Sequence, residues 1–486
     1  TQSTLDVVLK VDSKTLDEVV VVGFGSQKKV NVTGAVSMVG SEVIESRPVQ
    51  NVSQALQGVV PGLNFSVNTS GGALDNSLNV NIRGAGTIGS GSNSSPLVLI
   101  DGVEGNMNAI NPQDIESISV LKDAASASIY GARAAFGVIL INTKSGKSGR
   151  TNVNYSGNVR FTDALAIPEM LDSYKFAQYF NEAAKNSGQG AVFSETQMQR
   201  ILAYQKGEIT DGATINTTNN RWNNYTGANA NTDWFKEMYK DWVPSHEHNL
   251  SVSGGNEKVT YLVSGNFLDQ NGLIAHGKDK FNRYTLNGKI NATLSDYVKL
   301  NYSSKWIRED YKRPSYMTGL FFHNIARRWP VNPVYDPNGY YMEGNEIIQM
   351  EDGGIQRNQK DYSYQQLQLV IEPIKDWKIY AEGNLNTITN FQHWEVLPVY
   401  AHDVNGDQFA FSWDGRAVGS TTVNEYGYKE NFMTTNIYSD YFKQFDNGHF
   451  IKVMGGFNAE VMKTRSLSAQ GDGLITPSVP TVNTTT

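Results

Sequence analysis

Residues Pro96–Lys144 read PLVLIDGVEGNMNAINPQDIESISVLKDAASASIYGARAAFGVILINTK. Two apolar runs bracket the stretch, Leu97–Ile100 and Val138–Ile141. Each is too short to cross a membrane as a helix and rich enough in Val, Ile and Leu for a buried strand. Asp101-Gly102 and Lys144-Ser145-Gly146 follow them as turn signals. Between the runs, Ile115, Ile118 and Leu121 stand at helix-like spacing, which predicts a helix within Asp114–Tyr130. Ala125-Ser126-Ala127-Ser128 and Tyr130-Gly131 close that segment. The density of Gly and Ala suits a compact α+β unit in which backbones approach closely.

The chain has 486 residues, no Cys and a net charge of −7, from 41 basic and 48 acidic side chains. Without Cys there is no disulfide or thiolate chemistry. The acidic balance argues against nucleic acid as a partner, because phosphates need a basic face. No apolar run reaches the roughly 18 residues of a membrane-spanning helix. Only 39% of the chain is hydrophobic, yet aromatics reach 11%, with 24 Tyr and 8 Trp. A membrane β-barrel needs such a balance, since only every second strand residue faces lipid and hydropathy averages out.

From Thr151 onward the pattern alternates with period two. Leu286, Gly288, Ile290, Ala292 and Leu294 interleave with Thr285, Asn287, Lys289, Asn291 and Thr293. Val298, Leu300, Tyr302 and Trp306 oppose Lys299, Asn301, Ser303 and Lys305, and Ile379 to Leu385 and Ile451 to Val461 repeat the scheme. Nine strands are expected, near 152–161, 246–254, 258–267, 281–294, 297–308, 362–373, 376–390, 431–444 and 449–463. Strands of roughly ten residues or more exceed the usual length in a soluble sandwich. The connections alternate as well. Long ones fall at 162–245, 268–280, 309–361 and 391–430, with Thr464–Thr486 read as another long loop. Tight ones fall at Gly255-Asn256, Ser295-Asp296, Ile374-Lys375 and Phe445–Gly448. Short turns on one side and long loops on the other mark an outer-membrane barrel.

Upstream, Val52–Gln57 predicts a short helix stopped by Gly58 and Pro61-Gly62, and Leu78–Gly84 alternates as a strand. Leu5–Leu9 is a short strand-like piece, and the four valines Val19–Val22 favour extended backbone. Gly84-Ala-Gly86-Thr-Ile-Gly89 matches the dinucleotide glycine pattern literally. Loop residues follow it where a nucleotide site needs a helix, so Ala85–Ser95 is read as a flexible loop. No catalytic constellation emerges. His246 and His248 share a strand face, but zinc needs a third ligand that the sequence does not place. Asp403-Val-Asn405-Gly-Asp407 opens like a calcium loop but lacks its Gly and its final Glu, so an Asn-Gly turn is expected. No metal or cofactor is expected.

The run from Asp101 to Gly146 closely resembles the plug signature of SusC/RagA-like TonB-dependent outer-membrane transporters, and 233–275 resembles the same family. Phe136 and Asn142 depart from the pattern, standing where Asn and Thr are common. The resemblance implies an all-β membrane barrel, part of one with about 22 strands, around an N-terminal α+β plug inside its lumen. The implied domains are 1–29, an N-terminal segment holding the end of a preceding β-sandwich domain and the TonB box; 30–150, the plug; and 151–486, roughly nine barrel strands with their outer loops. Nine strands cannot close such a barrel, so the chain reads as the N-terminal part of a longer protein. The TonB box is implied at Asp17, Glu18, Val19, Val20, Val21 and Val22, where an extended segment can add to a partner's sheet. Arg83, Asp101, Glu116 and Arg133 are candidates for an ionic latch between plug and wall, against an ordinary structural role.

Loop aromatics are the substrate candidates: Trp222, Tyr225, Trp234, Trp329, Tyr340, Tyr341, Trp394 and Trp413. Flat aromatic faces stack on sugar rings; the alternative is loop packing or an interfacial girdle. The implied function is TonB-dependent import of nutrient oligosaccharides across the outer membrane of a Gram-negative, Bacteroidota-type cell. A SusD-like surface lipoprotein and TonB are the implied partners, with outer-membrane lipid around the wall and a dimer of transporter–lipoprotein pairs as a further implication. Rival readings are a peptide importer of this family, a siderophore or cobalamin receptor, and a soluble β-rich glycan-binding protein.

Overall fold

The computed structural model describes residues 19–22, 25–28, 35–47, 49–67, 72–74, 78–84, 94–123, 127–412, 416–445 and 449–486. The expectations for Leu5–Leu9, Asp17, Glu18, most of Ala85–Ser95 and Trp413 fall outside these residues. The chain divides into two units, one spanning 1–66 and 78–144, the other 67–77 and 145–486.

The smaller unit begins with β1 (Val19–Val22), paired antiparallel with β2 (Gly25–Lys28) in a two-stranded ribbon. Then come β3 (Val36–Gly40), helices α1 (Ser41–Glu45) and α2 (Val52–Leu56), β4 (Leu63–Val67), β5 (Leu78–Ile82), β6 (Leu97–Ile100), β7 (Val103–Glu104), β8 (Ile115–Leu121) and β9 (Val138–Thr143). Five strands form one mixed sheet in the order β3-β8-β9-β6-β7. The two apolar runs of the opening stretch are therefore neighbours, with Leu97–Ile100 parallel to Val138–Ile141. Alternate residues of β9 serve two cores. Ile139 and Ile141 pack with Ile44, Val52 and Leu56, whereas Val138 and Leu140 pack with Leu97 and Leu99. Asn51 caps α2 by accepting the Gln54 amide, and Asn106 and Asn111 cap short 3-10 turns that lead into β8.

The helix expected within Asp114–Tyr130 is not formed over its first half: Ile115–Leu121 is the strand β8, hydrogen-bonded between β3 and β9. A register shift between Ile115 and Ser117 puts Ile115 on the same side as Ile118 and Val120. The three-residue spacing is thus the trace of a bulge, and Leu121 packs on the opposite core. A strand buried on both faces also loses plain alternation. Helical turns appear only later, as a 3-10 segment over Ser128–Ala134 broken at Gly131, whose φ is 66°. The close backbone approach is real at Gly137: a Cβ there would lie 2.7 Å from Ile82 Cδ1 and 2.9 Å from the Leu121 carbonyl. Asn142 ties β9 to β8 through a 3.2 Å hydrogen bond to the Ser117 hydroxyl.

The larger unit is built on nine antiparallel strands: β10 (Gly149–Thr162), then, after the small hairpin β11 (Ile215–Asn216) and β12 (Arg221–Trp222), β13 (Val243–Gly255), β14 (Val259–Asn271), β15 (Lys280–Ser295), β16 (Val298–Pro314), β17 (Ile355–Ile374), β18 (Trp377–Val396) and, after the hairpin β19 (Val399–His402) and β20 (Gln408–Phe411), β21 (Thr422–Gln444) and β22 (Phe450–Asp472). They pair in sequence order apart from the two hairpins, with tight turns at one end and long connections at the other. The strands outrun their expected limits at the loop end. Thr464–Asp472, read as loop, continues β22 in register with β21. Ladder hydrogen bonds carry that extension, and its polar sequence gives no apolar alternation to announce it.

The sheet is inverted relative to a soluble one. Leu286 (55% exposed), Leu250, Val263 and Phe457 (64% exposed) face outward, while Arg283, Asn287 and Lys305 on the other face are each at most 3% exposed. Buried polar groups bond to one another: Asn266 Nδ2 donates to Glu247 Oε1 at 3.0 Å, Asn384 to the Thr434 hydroxyl at 2.8 Å, and Arg160 pairs with Glu247. An apolar outside and a polar inside are what lipid and water demand on opposite faces of a barrel wall.

Candidate functional site

The long connections fold into a cap of their own at one end of the sheet. The 163–242 connection carries helices α3 (Ser173–Asn186), α4 (Glu195–Gln205) and α5 (Trp234–Met238). Asp172, Ser194 and Asp233 cap them by accepting the amides of Lys175, Gln197 and Lys236. The 315–354 connection adds α6 (Gly319–Arg327) and α7 (Ile347–Asp352). Two apolar cores hold these pieces. One joins Trp234, Met238, Phe321, Ile347, Val396 and Phe411; the other joins Ala177, Phe193, Ile201 and Val331.

The predicted aromatics divide by role. Trp329 is a packing hub, its ring centroid 4.6 Å from Phe180, 5.3 Å from Phe176, 5.7 Å from Phe193 and 5.3 Å from Tyr225. Phe176 and Phe180, four residues apart on α3, present one face to it. Trp234 is fully buried, donates through Nε1 to the Trp329 carbonyl at 3.0 Å and lies under the Arg328 guanidinium. Tyr340 stacks on His402 at 3.7 Å, Tyr341 on Tyr335 at 5.1 Å, and Trp394 lies 5.3 Å from Arg416. Trp222 keeps a buried Nε1 with no acceptor among the described residues. Tyr225 and Tyr340 keep their rings about half exposed.

The cap also holds a polar cavity of about 400 Å³, lined by Arg221, Tyr316, Glu343, Glu346, Gln349 and Phe411 among others. Arg221 reaches it from β12, with Nη1 3.0 Å from Glu343 Oε1 and its guanidinium 3.8 Å over the Phe409 ring. Glu346, at the start of α7, pairs with Arg328, and both are nearly buried. The Gln349 side-chain oxygen Oε1 has no donor among the described residues. Burial pushes the Glu343 carboxyl above its usual range, and Arg221 opposes that shift. Burial also raises Asp336, against the amides of Tyr340, Asn338 and Gly339, and lifts the Tyr341 hydroxyl to about 12. A cavity with two carboxylates, a guanidinium, an open amide and flanking rings can hydrogen-bond and stack on a polar, ring-bearing or amide-bearing molecule. Arg221, Glu343, Glu346 and Gln349 were not expected as site residues, because loops carry no periodicity that would group them.

The other candidates are placed as follows. Asp101, at φ 49°, accepts the Thr143 amide at 2.8 Å and the Thr143 hydroxyl at 2.7 Å within the smaller unit. Arg133 pairs with Glu104 at 3.2 Å. Arg83, at φ 58°, is exposed and donates its backbone amide to the Gly62 carbonyl; Glu116 is exposed on β8. Val19–Val22 is extended as read, with its backbone laddered to Gly25–Lys28. His248 Nδ1 shares a 2.8 Å hydrogen bond with the Tyr155 hydroxyl, 5.3 Å between the His246 and His248 rings. Asp403 Oδ1 accepts the amides of Asn405 and Asp407, and Gly406 has φ 87°, so this segment is a turn closing β19 and β20.

Residues 28–138 match the family model of the TonB-dependent receptor plug domain. TonB-dependent receptor P26 of Formosa agariphila is 32% identical over 357 residues, covering 72% of this chain and 32% of that protein. TonB-dependent receptor SusC of Bacteroides thetaiotaomicron is 26% identical over 488 residues, covering 93% of this chain and 43% of that one. The chain thus spans less than half the length of these two relatives. A solved structure of the RagAB peptide importer in its open-open state superposes with a TM-score of 0.76 at 22% identity, covering 96% of this chain and 52% of that chain, and shows the shared fold.

Proposed function

We propose that this chain, which belongs to the SusC-like TonB-dependent transporters of the Gram-negative outer membrane, serves active import of nutrient oligosaccharides into the periplasm. The observation that carries the reading is the folded cap on an inside-out sheet, which holds both a polar cavity and half-exposed aromatic rings. Sugar hydroxyls suit Glu343, Glu346, Gln349 and Arg221 as partners, and sugar faces suit Tyr225 and Tyr340. No bond is made or broken; the chain binds and releases. Energy enters through TonB, which captures the Asp17–Val22 segment as an added strand and pulls on the plug. Arg83, Asp101, Glu116 and Arg133 act as latch charges that such pulling releases, and a SusD-like lipoprotein covers the cap. Residues 1–29, 30–150 and 151–486 serve as partner-facing segment, stopper and wall.

Titration calorimetry of the purified protein, with its lipoprotein, against a panel of oligosaccharides and of short peptides tests the reading. Saturable heat with an oligosaccharide, lost in Glu343→Gln with Arg221→Ala, supports it. Heat with peptides alone favours the second reading, a peptide importer, for which the fold shared with the RagAB importer is the motivating observation. Binding of neither, with growth restored on ferric chelates, favours the siderophore reading. Arg83→Ala is expected to raise passive entry of small antibiotics; unchanged entry counts against the latch.

A further inference from the structure

A second cavity, of about 690 Å³, has a lining distinct from that of the cap's polar cavity and lies where β13 to β17 meet their outer connections. Its lining includes five cations, Lys240, Lys278, Lys280, Lys312 and Arg357, against three acids, Asp241, Asp279 and Asp310. Strand register gives the arrangement. Lys280 lies directly opposite Lys312, and Lys312 directly opposite Arg357. Three cations side by side across three strands oppose one another and cost the sheet stability. Lys280 is answered by Asp269 at 2.7 Å and Arg357 by Asp310 at 2.7 Å. Lys312, in the middle, has no ion-pair partner among the described residues.

Parity decides which face this is. Lys280 shares its side of β15 with Tyr284, Leu286 and Ile290, and Lys312 shares its side of β16 with Trp306 and Tyr302, all of them exposed. The cation row therefore stands on the lipid-facing side of the wall, not on the polar inner side, so imported cargo does not pass it. It sits six residues beyond Trp306, which at the usual strand rise and tilt is about 15 Å above that ring. Ordinary phospholipid headgroups end roughly 5–8 Å beyond the hydrocarbon edge. Measured from Trp306 as an interfacial ring, the row lies above ordinary phospholipid headgroups and at the height of a headgroup carrying several sugars and anionic groups.

We propose that this pocket binds the anionic saccharide headgroup of an outer-leaflet glycolipid, with Lys312 as the central contact and Lys280 and Arg357 flanking it. The inference uses the chain's place in the outer membrane and does not depend on which cargo is imported. The test titrates the detergent-solubilised protein with short-core lipopolysaccharide, the same glycolipid after enzymatic dephosphorylation, phosphatidylglycerol micelles and inorganic phosphate. Saturable binding of the intact glycolipid is expected, weakened about tenfold in Lys312→Gln, restored in Lys312→Arg and reduced by salt. Retained resistance to unfolding in cold detergent shows that each variant is folded. Equal binding of inorganic phosphate would make the site a free-anion site, and equal binding of phosphatidylglycerol would remove the argument from height. Binding unchanged by Lys312→Gln, or competition by an imported oligosaccharide, would overturn the proposal.

Discussion

Trp234 has the largest fully buried side chain among the described residues, and its neighbours come from both long connections of the cap. Trp234→Ala removes that volume and one of the two hydrogen bonds to the Trp329 carbonyl, which keeps the Asn332 amide, at a cost of about 3–5 kcal/mol. Limited proteolysis should then cut within 163–242 and 315–354 at rates well above wild type, while the strands stay protected; unchanged cutting would mean the cap does not depend on this packing. Glu343 makes a pH-dependent prediction. Its carboxyl is raised by burial, with Arg221 opposing. A group raised in the fold favours the folded cap below its unfolded-state pKa, and that contribution is lost as pH rises through the folded one. Glu343→Gln mimics the protonated form, so it should tighten the cap against proteolysis at about pH 7 and match wild type near about pH 4. The same ratio at both pH values would refute the sign. The candidate aromatics were legible as loop aromatics, but only packing separates Trp234 and Trp329, which build the cap, from Tyr225 and Tyr340, which stay accessible.

Among the elements, β8 and β15 differ in what their sequences reveal. Ile115–Leu121 is buried on both faces and bulged, so its spacing imitates a helix. Lys280–Ser295 has one wet and one apolar face, and its alternation survives intact. The alternation makes a measurable claim. Leu286→Arg puts a charge on the outward apolar face and should cost about 2–4 kcal/mol, seen as lost heat-modifiable mobility and lower outer-membrane yield. Asn287→Arg, one residue on, puts its charge on the polar face instead and should leave lipid contact unaffected. Equal tolerance of Arg at both positions would refute the assignment of faces.

For the molecule as a whole, the decisive question is whether pulling on the amino-terminal strand drives import. Val20→Pro removes one ladder donor from Val19–Val22. Cargo affinity should stay within about twofold, while growth on that cargo falls to the level of a strain lacking TonB. Undiminished growth would place the captured segment elsewhere. The plug match and the kinship with P26 and SusC place the chain among TonB-dependent receptors, and the binding panel decides between cargo classes.

Composition and periodicity by themselves determined the nine strands, their alternating turn and loop lengths, and the inverted polarity of the sheet, because a period-two pattern survives wherever one face meets lipid and the other water. The two apolar runs around Pro96–Lys144 likewise announced their strands. Tertiary structure alone decided three things: that β8 is a strand, that the loops enclose a cavity around Arg221, Glu343, Glu346 and Gln349, and that Lys280, Lys312 and Arg357 form one row. Each depends on residues far apart in the chain meeting through strand register or loop packing, and local spacing carries no record of such meetings.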